Sequence, residues 1–159
     1  MPLIRDGQII EDGWTTVDDL EALPASGDII VSLDRFLAER PAFVAREGRL
    51  GLAIDNAIDP DDIESFLSDV ELVSLEFPAF TDGRAYSQAH HLRTHLGFTG
   101  ELRATGVVLA DQAAFLTRVG FDTFETASNQ PLEVWKRAAT SMTVAYQRGY
   151  TGPQTTRQL

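Results

Sequence analysis

The sequence predicts an α/β domain of parallel βαβ units, forming either an open sheet or a partial, half-TIM-like barrel, with a small N-terminal β-hairpin. Three observations predict it. Short apolar runs begin at Ile29, Leu50, Glu71, Glu101 and Phe121, with a helical pattern between each pair, as parallel crossovers require. The chain has 159 residues, well short of the roughly 250 of a complete (βα)8 barrel. Finally, Asp6-Gly7 stands between Leu3-Ile4-Arg5 and Gln8-Ile9-Ile10, a dipeptide suited to the positive φ angles of a type I′ hairpin turn. A partial barrel leaves apolar edges to cover, and a homodimer is one way to cover them.

The elements follow in order. Asp12-Gly13 punctuates after the hairpin. Ile29 to Ser32 reads as a strand, and Leu33 to Glu39 as a short helix stopped by Pro41. Leu50 to Ile54 is a continuous apolar run. Asp59-Pro60-Asp61-Asp62 opens the next helix, with Asp59 as cap, Pro60 in the first turn and carboxylates at the positive helix end. Then come a strand over Glu71 to Phe77, a loop over Pro78 to Gly83, and a helix over Arg84 to Leu96 with Ala85, Ala89, Leu92 and Leu96 on one face. Glu101 to Thr105 is a strand, Val108 to Val119 a helix stopped at Gly120, Phe121 to Thr126 a strand, Pro131 to Ser141 a helix and Thr143 to Gln147 a last short strand. Residues 1–148 are thus expected to form one domain, with 1–17 as a hairpin segment packed on it and 149–159 as a flexible tail.

Composition narrows the function. No apolar run approaches a membrane span and no secretory leader is visible, so a cytoplasmic protein is expected. The absence of cysteine excludes disulfides, thiolate metal sites and thiol redox chemistry. Lys and Arg total 13 against 24 Asp and Glu, a net charge of −11. Such an excess repels phosphate backbones and anionic membranes, and suits solubility or steering toward a basic partner, as in a protein-docking module without catalysis that binds through its hairpin and acidic surface.

In parallel α/β architecture ligands bind beyond the carboxyl ends of the strands. That rule selects Asp55-Asn56, Glu76 through Arg84, Arg103 through Gly106, and Glu125. Three readings compete. Arg84, after Asp82-Gly83 at a helix start, and Arg103 on the next strand form a two-guanidinium clamp for a small oxyanion, with Tyr86, Ser87 and Gln112 as orienting donors. Alternatively Glu76 and Asp55, at adjacent strand ends, act as acid and base or hold a divalent cation. Or Asp82 caps the helix and Arg84 pairs with Glu76 or Asp82, as structural groups only. His91 and His95 have the four-residue spacing of zinc ligands, but Leu92 stands where the metalloprotease pattern has Glu and no third ligand is identifiable. Neither a Gly-x-Gly-x-x-Gly nor a Walker loop nor a Gly-x-Ser-x-Gly elbow occurs, so the cofactor stays open.

Residues Phe77 to Ala89 (Phe-Pro-Ala-Phe-Thr-Asp-Gly-Arg-Ala-Tyr-Ser-Gln-Ala), Leu92-Arg93, Leu96 to Ala104, Asp111-Gln112 and Gly120 to Phe124 resemble a bacterial domain-of-unknown-function family. Its members are commonly labelled as oxidoreductases of sulfite reduction. The likeness spans most of the chain. Asp82-Gly83-Arg84 is its most specific part, and Ala85 departs from the family's usual glycine. The resemblance implies a cytoplasmic setting beside assimilatory sulfite reductase, as an accessory protein or oxidoreductase component, with the reductase or a small oxyanion as partner. It carries no assigned catalytic residue. The Phe77-to-Phe124 rhythm is also similar to half of an enolase-type barrel, a likeness of fold alone.

Overall fold

The structure, a computed structural model, describes residues 1–125, 131–139 and 149. The strands are β1 (Leu3–Arg5), β2 (Gln8–Ile10), β3 (Trp14–Thr16), β4 (Asp28–Ser32), β5 (Leu50–Ile54), β6 (Leu72–Phe77), β7 (Glu101–Gly106) and β8 (Thr123–Glu125). The helices are α1 (Leu33–Ala45), α2 (Arg84–Thr94), α3 (Ala113–Val119) and α4 (Leu132–Ala139), with 3-10 helices at Pro60–Asp69 and Ala110–Gln112. One eight-stranded sheet runs in the order β2-β1-β8-β7-β6-β5-β4-β3. From β3 to β8 every neighbouring pair is parallel, whereas β1 is antiparallel to both β8 and β2. The sheet is an open, strongly curled half-barrel.

Connectivity explains the curl. β2 and β3 are the two edges of the sheet, yet only Glu11, Asp12 and Gly13 separate them in the chain. Laid flat, eight strands at about 4.8 Å spacing would hold their edges roughly 34 Å apart, whereas that link spans at most about 14 Å. A flat sheet is therefore excluded by chain length.

The two faces differ in chemistry. Ile29, Val31, Leu52, Ile54, Val73, Leu75, Leu102, Ala104 and Phe124 point outward into one core with Phe36, Ile63, Leu92, Leu116 and Trp135 from the helical layer. Each such aliphatic side chain contributes about 1.5–3 kcal/mol of burial. The opposite, inner face alternates in register through Ile30, Gly51 and Leu72, then Ser74, Arg103 and Thr123. A Cβ at Gly51 would lie 3.0 Å from Ile30 Cγ1 and 3.1 Å from Leu72 Cδ2, so both side chains would have to shift to admit one.

Deep in this inner face sits Arg103, only 2 % exposed. Its guanidinium donates to both carboxylate oxygens of Asp12, at 2.7 and 3.0 Å, and to Glu101 at 3.1–3.2 Å. Glu101 also accepts from Thr123 and from Arg5. Two arginines and two carboxylates thus form one charge-balanced network, the condition under which buried ions are tolerated. Asp12 comes from the edge-to-edge link, so this network ties the link to the middle of the sheet.

Local signals shape the elements as expected in several places. Asp6 and Gly7 both take positive φ (50° and 71°), the hairpin turn their types favour. Asp59 caps its helix through Asp61 N at 3.1 Å, and Gly120 ends α3 in the left-handed region at φ 115°. Elsewhere the elements differ. The helix expected to stop before Pro41 runs on to Ala45 across a kink at Glu39, because Pro41 lacks the N–H that would bond the preceding turn. The Val108-to-Val119 helix divides into a 3-10 turn and α3, and the strand expected from Phe121 begins at Thr123. β3, unforeseen, pairs with β4, and the Arg49 guanidinium lies 4.8 Å over the Trp14 ring while pairing with Asp28. The strand expected over Thr143 to Gln147 and the tail after Gly149 lie outside the described residues.

Removing Asp12 takes one of its two carboxylate partners from the buried Arg103 guanidinium. Asp12→Ala is expected to destabilise the fold by about 3 kcal/mol, whereas Glu11→Ala next to it shifts stability by less than about 0.5 kcal/mol. Urea unfolding of both variants measures the contrast.

Candidate functional site

Because β3 to β8 run parallel, their carboxyl ends form one rim, and the candidate residues can be placed relative to it. The β5–β6 ladder ends at Ile54↔Leu75, so Asp55 and Glu76 follow side by side at adjacent strand ends, both exposed. Glu76 lies on the inner face opposite Thr105. The Asp55 carboxylate accepts from Ala57 N at 2.6 Å and folds the next loop, while its carbonyl accepts from Gln88 Nε2 at 2.9 Å. Gln88 donates equally to Ile58 O, tying this loop to α2.

Asp82, Gly83 and Arg84 occupy the loop after β6 and the start of α2. Arg84 donates to both carboxylate oxygens of Asp82, from Nε at 3.0 Å and from Nη2 at 2.7 Å, and its side chain is 59 % exposed. These bonds hold the Asp82 carboxyl down from 3.8 to about 2, and the Arg84 guanidinium is raised by the same contact, with Asp55 adding a smaller push. Gly83 occupies the N-cap position without a side chain to offer, and the Asp82 carboxylate just before it accepts from Arg84 N at 3.3 Å. The structural ion pair between Arg84 and Asp82 is therefore present.

The other expected members stand apart. Arg103 is committed to Asp12 and Glu101 inside the curled sheet, so the two guanidiniums expected to form one clamp engage different carboxylates. The parallel strands do aim their tips together, but Arg103 is the third residue of β7 and its side chain turns back toward Glu101 rather than up to the rim. Gln112 accepts from Leu109 N at 3.0 Å and closes the start of the Ala110–Gln112 turn. Tyr86 is half-buried, edge-on to Phe77 at 5.0 Å and Phe115 at 4.9 Å, and burial together with Asp111 pushes its phenol up, keeping it a hydroxyl donor. Ser87 lines a separate shallow cavity of about 390 Å³ with Asp59, Asp61, Gln88 and His91. There His91 Nε2 lies 2.7 Å from Asp61, and its ring stacks on His95 at 4.6 Å. Among the described residues no group of three or more His, Asp or Glu is placed to hold a metal ion. Another cavity, of about 430 Å³, opens at the opposite end of the sheet against Glu71, Phe98 and Gly100.

What the rim does gather is charge of one sign. The loop after β3 carries Asp18, Asp19 and Glu21, and the loop after β5 carries Asp55, Asp59, Asp61 and Asp62. Asp82 follows β6 and Asp111 follows β7; the cations beside them are Arg84, paired with Asp82, and Arg35 in the first turn of α1, which donates to Asp18 O and Glu21 O. Apolar side chains stand exposed between the acids: Leu20 after β3, Phe80 after β6 and Val107 after β7. Sequence reasoning did not single out these three. For Leu20 the signal was an isolated large apolar residue within a polar turn, Asp18-Asp19-Leu20-Glu21; Phe80 and Val107 stand among other apolar residues and carry no such signal. No described helix is long and apolar enough to cross a membrane.

A family model described as a bacterial protein of unknown function (DUF934) matches residues 51–157. No curated protein matches the chain.

The Asp82–Arg84 pair makes a checkable claim about pH. Since the carboxyl is lower in the folded chain than in the unfolded one, its stabilising effect is complete above 3.8 and fades as the pH falls through about 2. Carbon-detected NMR titration should find Asp82 near 2 and should find it returned toward 3.8 in Arg84→Ala.

Proposed function

This chain belongs to the DUF934 family of bacterial proteins of unknown function, and from that premise we propose that it is a cytoplasmic accessory protein of assimilatory sulfite reduction that acts by docking a basic protein surface on its acidic rim. The sulfite setting rests on the resemblance carried by Phe77 to Phe124. The docking mode rests on one observation: Arg103 is spent inside the fold, so the rim's carboxylates outnumber its cations, Arg84 being paired with Asp82 and Arg35 buried beneath the Asp18-to-Glu21 turn. A rim of that sign raises the local concentration of positive surfaces and repels free sulfite or sulfate. Exposed Phe80 and Val107 supply apolar contact area that charge alone does not.

A second reading is favoured by α2. Its first residue, Arg84, presents an exposed guanidinium at the helix start, where Arg84 N donates to Asp82 Oδ1 and Tyr86 N to Gly83 O. An oxyanion would then compete with Asp82 for Arg84. The carboxylate pair Asp55 and Glu76 remains the enzymatic alternative, with the two groups as acid and base at neighbouring strand ends.

Binding of purified sulfite reductase to the full chain, followed by calorimetry across a salt series, tests the leading reading. Affinity should fall steeply between low and physiological salt, and the double charge reversal Asp55→Lys with Asp82→Lys should weaken it at least tenfold. Salt-independent binding, or none, removes it. The oxyanion reading expects sulfite, sulfate or phosphate at millimolar concentration to raise the melting temperature by mass action, an effect that Arg84→Ala should abolish.

A further inference from the structure

The loop between β3 and β4 contains a surface feature whose construction exceeds the needs of a connector. Asp18, Asp19, Leu20 and Glu21 form a tight turn closed by Glu21 N donating to Asp18 O at 3.0 Å. Beneath it lies Arg35, from the first turn of α1, only 7 % exposed. Its guanidinium donates to Asp18 O and, at 2.7 Å, to Glu21 O, gripping both ends of the turn. Ser32, which caps α1 through Arg35 N at 3.1 Å, also donates its hydroxyl to Asp19 at 2.6 Å. On the near side Val17 is buried and donates to Ile30 O at 2.9 Å, extending the β3–β4 pairing to the foot of the turn. At the tip, Leu20 is fully exposed.

Single exposed leucines are ordinary on protein surfaces. The backbone that carries this one is fixed by the Arg35 and Ser32 bonds, three carboxylates flank it, and it shares the rim with Phe80 and Val107. A backbone already ordered loses little freedom on binding, and the surrounding charge selects the surface that buries the side chain. We propose that the Asp18-to-Glu21 turn is a docking knob, in which Leu20 enters an apolar socket on a partner protein and Asp18, Asp19 and Glu21 pair with Lys or Arg around the socket's mouth. This rests on the reading of the rim as a protein-docking surface. It adds the point of entry and the chemistry of the partner's site. Charge complementarity commits the occupant: a second copy of this chain, at net charge −11, would bring like charge to the same place.

The test compares Leu20→Ala with Leu37→Ala, a half-exposed leucine of α1, in equilibrium binding of the full chain to purified sulfite reductase. Leu20→Ala should weaken binding at least tenfold at an unchanged melting temperature, and Leu37→Ala should leave it alone. Equal binding by both variants overturns the knob while the acidic rim still stands. If the wild-type chain does not bind the reductase, the sulfite reading is the one that fails. The knob is then decided by a photo-crosslinking residue placed at 20 or at 37 in the source cell. Adducts from position 20 alone, lost in Asp18→Asn with Asp19→Asn and mapped by mass spectrometry to an apolar peptide bordered by Lys or Arg, support it. No adduct, or equal adducts from both positions, overturns it.

Discussion

A bidentate ion pair between Asp12 and Arg103 is the constraint on which the rest of the molecule turns. A guanidinium inside a sheet is costly unless its charge is matched and its donors are used. Here one matching carboxylate is Glu101 of the same strand, and the other comes from the short link that joins one edge of the sheet to the other. Forming the pair and bringing the edges together are one event. The curl then buries Ile30, Leu72, Ser74 and Thr123 on the inner face.

The same event decides where function can reside. With Arg103 drawn inward, the rim keeps its carboxylates and loses the cation that would have balanced them. The parallel strands set all their following loops at one end, so acids distant in the chain become neighbours there. What results is an acidic surface with exposed apolar side chains, Leu20, Phe80 and Val107, between the charges.

The division between what was readable and what was not follows the range of the forces involved. Asp6-Gly7, Asp59-Pro60 and Gly120 act within a few residues, through positive φ, a capping carboxylate and a fixed proline φ, and each produced the expected turn, helix start or helix end. The α2 stripe of Ala85, Ala89 and Leu92 likewise faced the sheet as its spacing required. The pairing of β1 with β8 and the strand Trp14–Thr16 escaped notice, because three-residue strands carry almost no pattern and their partners lie far along the chain. At the candidate site, Asp82 with Arg84 was readable from adjacency, and Asp55 with Glu76 from strand alternation. Arg103 and Gln112 were misplaced for the same reason as each other: composition shows that a polar group is present, not which neighbour consumes its hydrogen bonds.

The sequence by itself determined the parallel α/β character, the hairpin, the order of crossovers and an acidic surface, since each depends on local propensity, periodicity or summed charge. Tertiary structure alone decided the degree of curl, the inward commitment of Arg103 and the isolation of Arg84 among carboxylates. Those outcomes depend on contacts such as Asp12 to Arg103, 91 residues apart, whose geometry exists only once the whole sheet has closed around them.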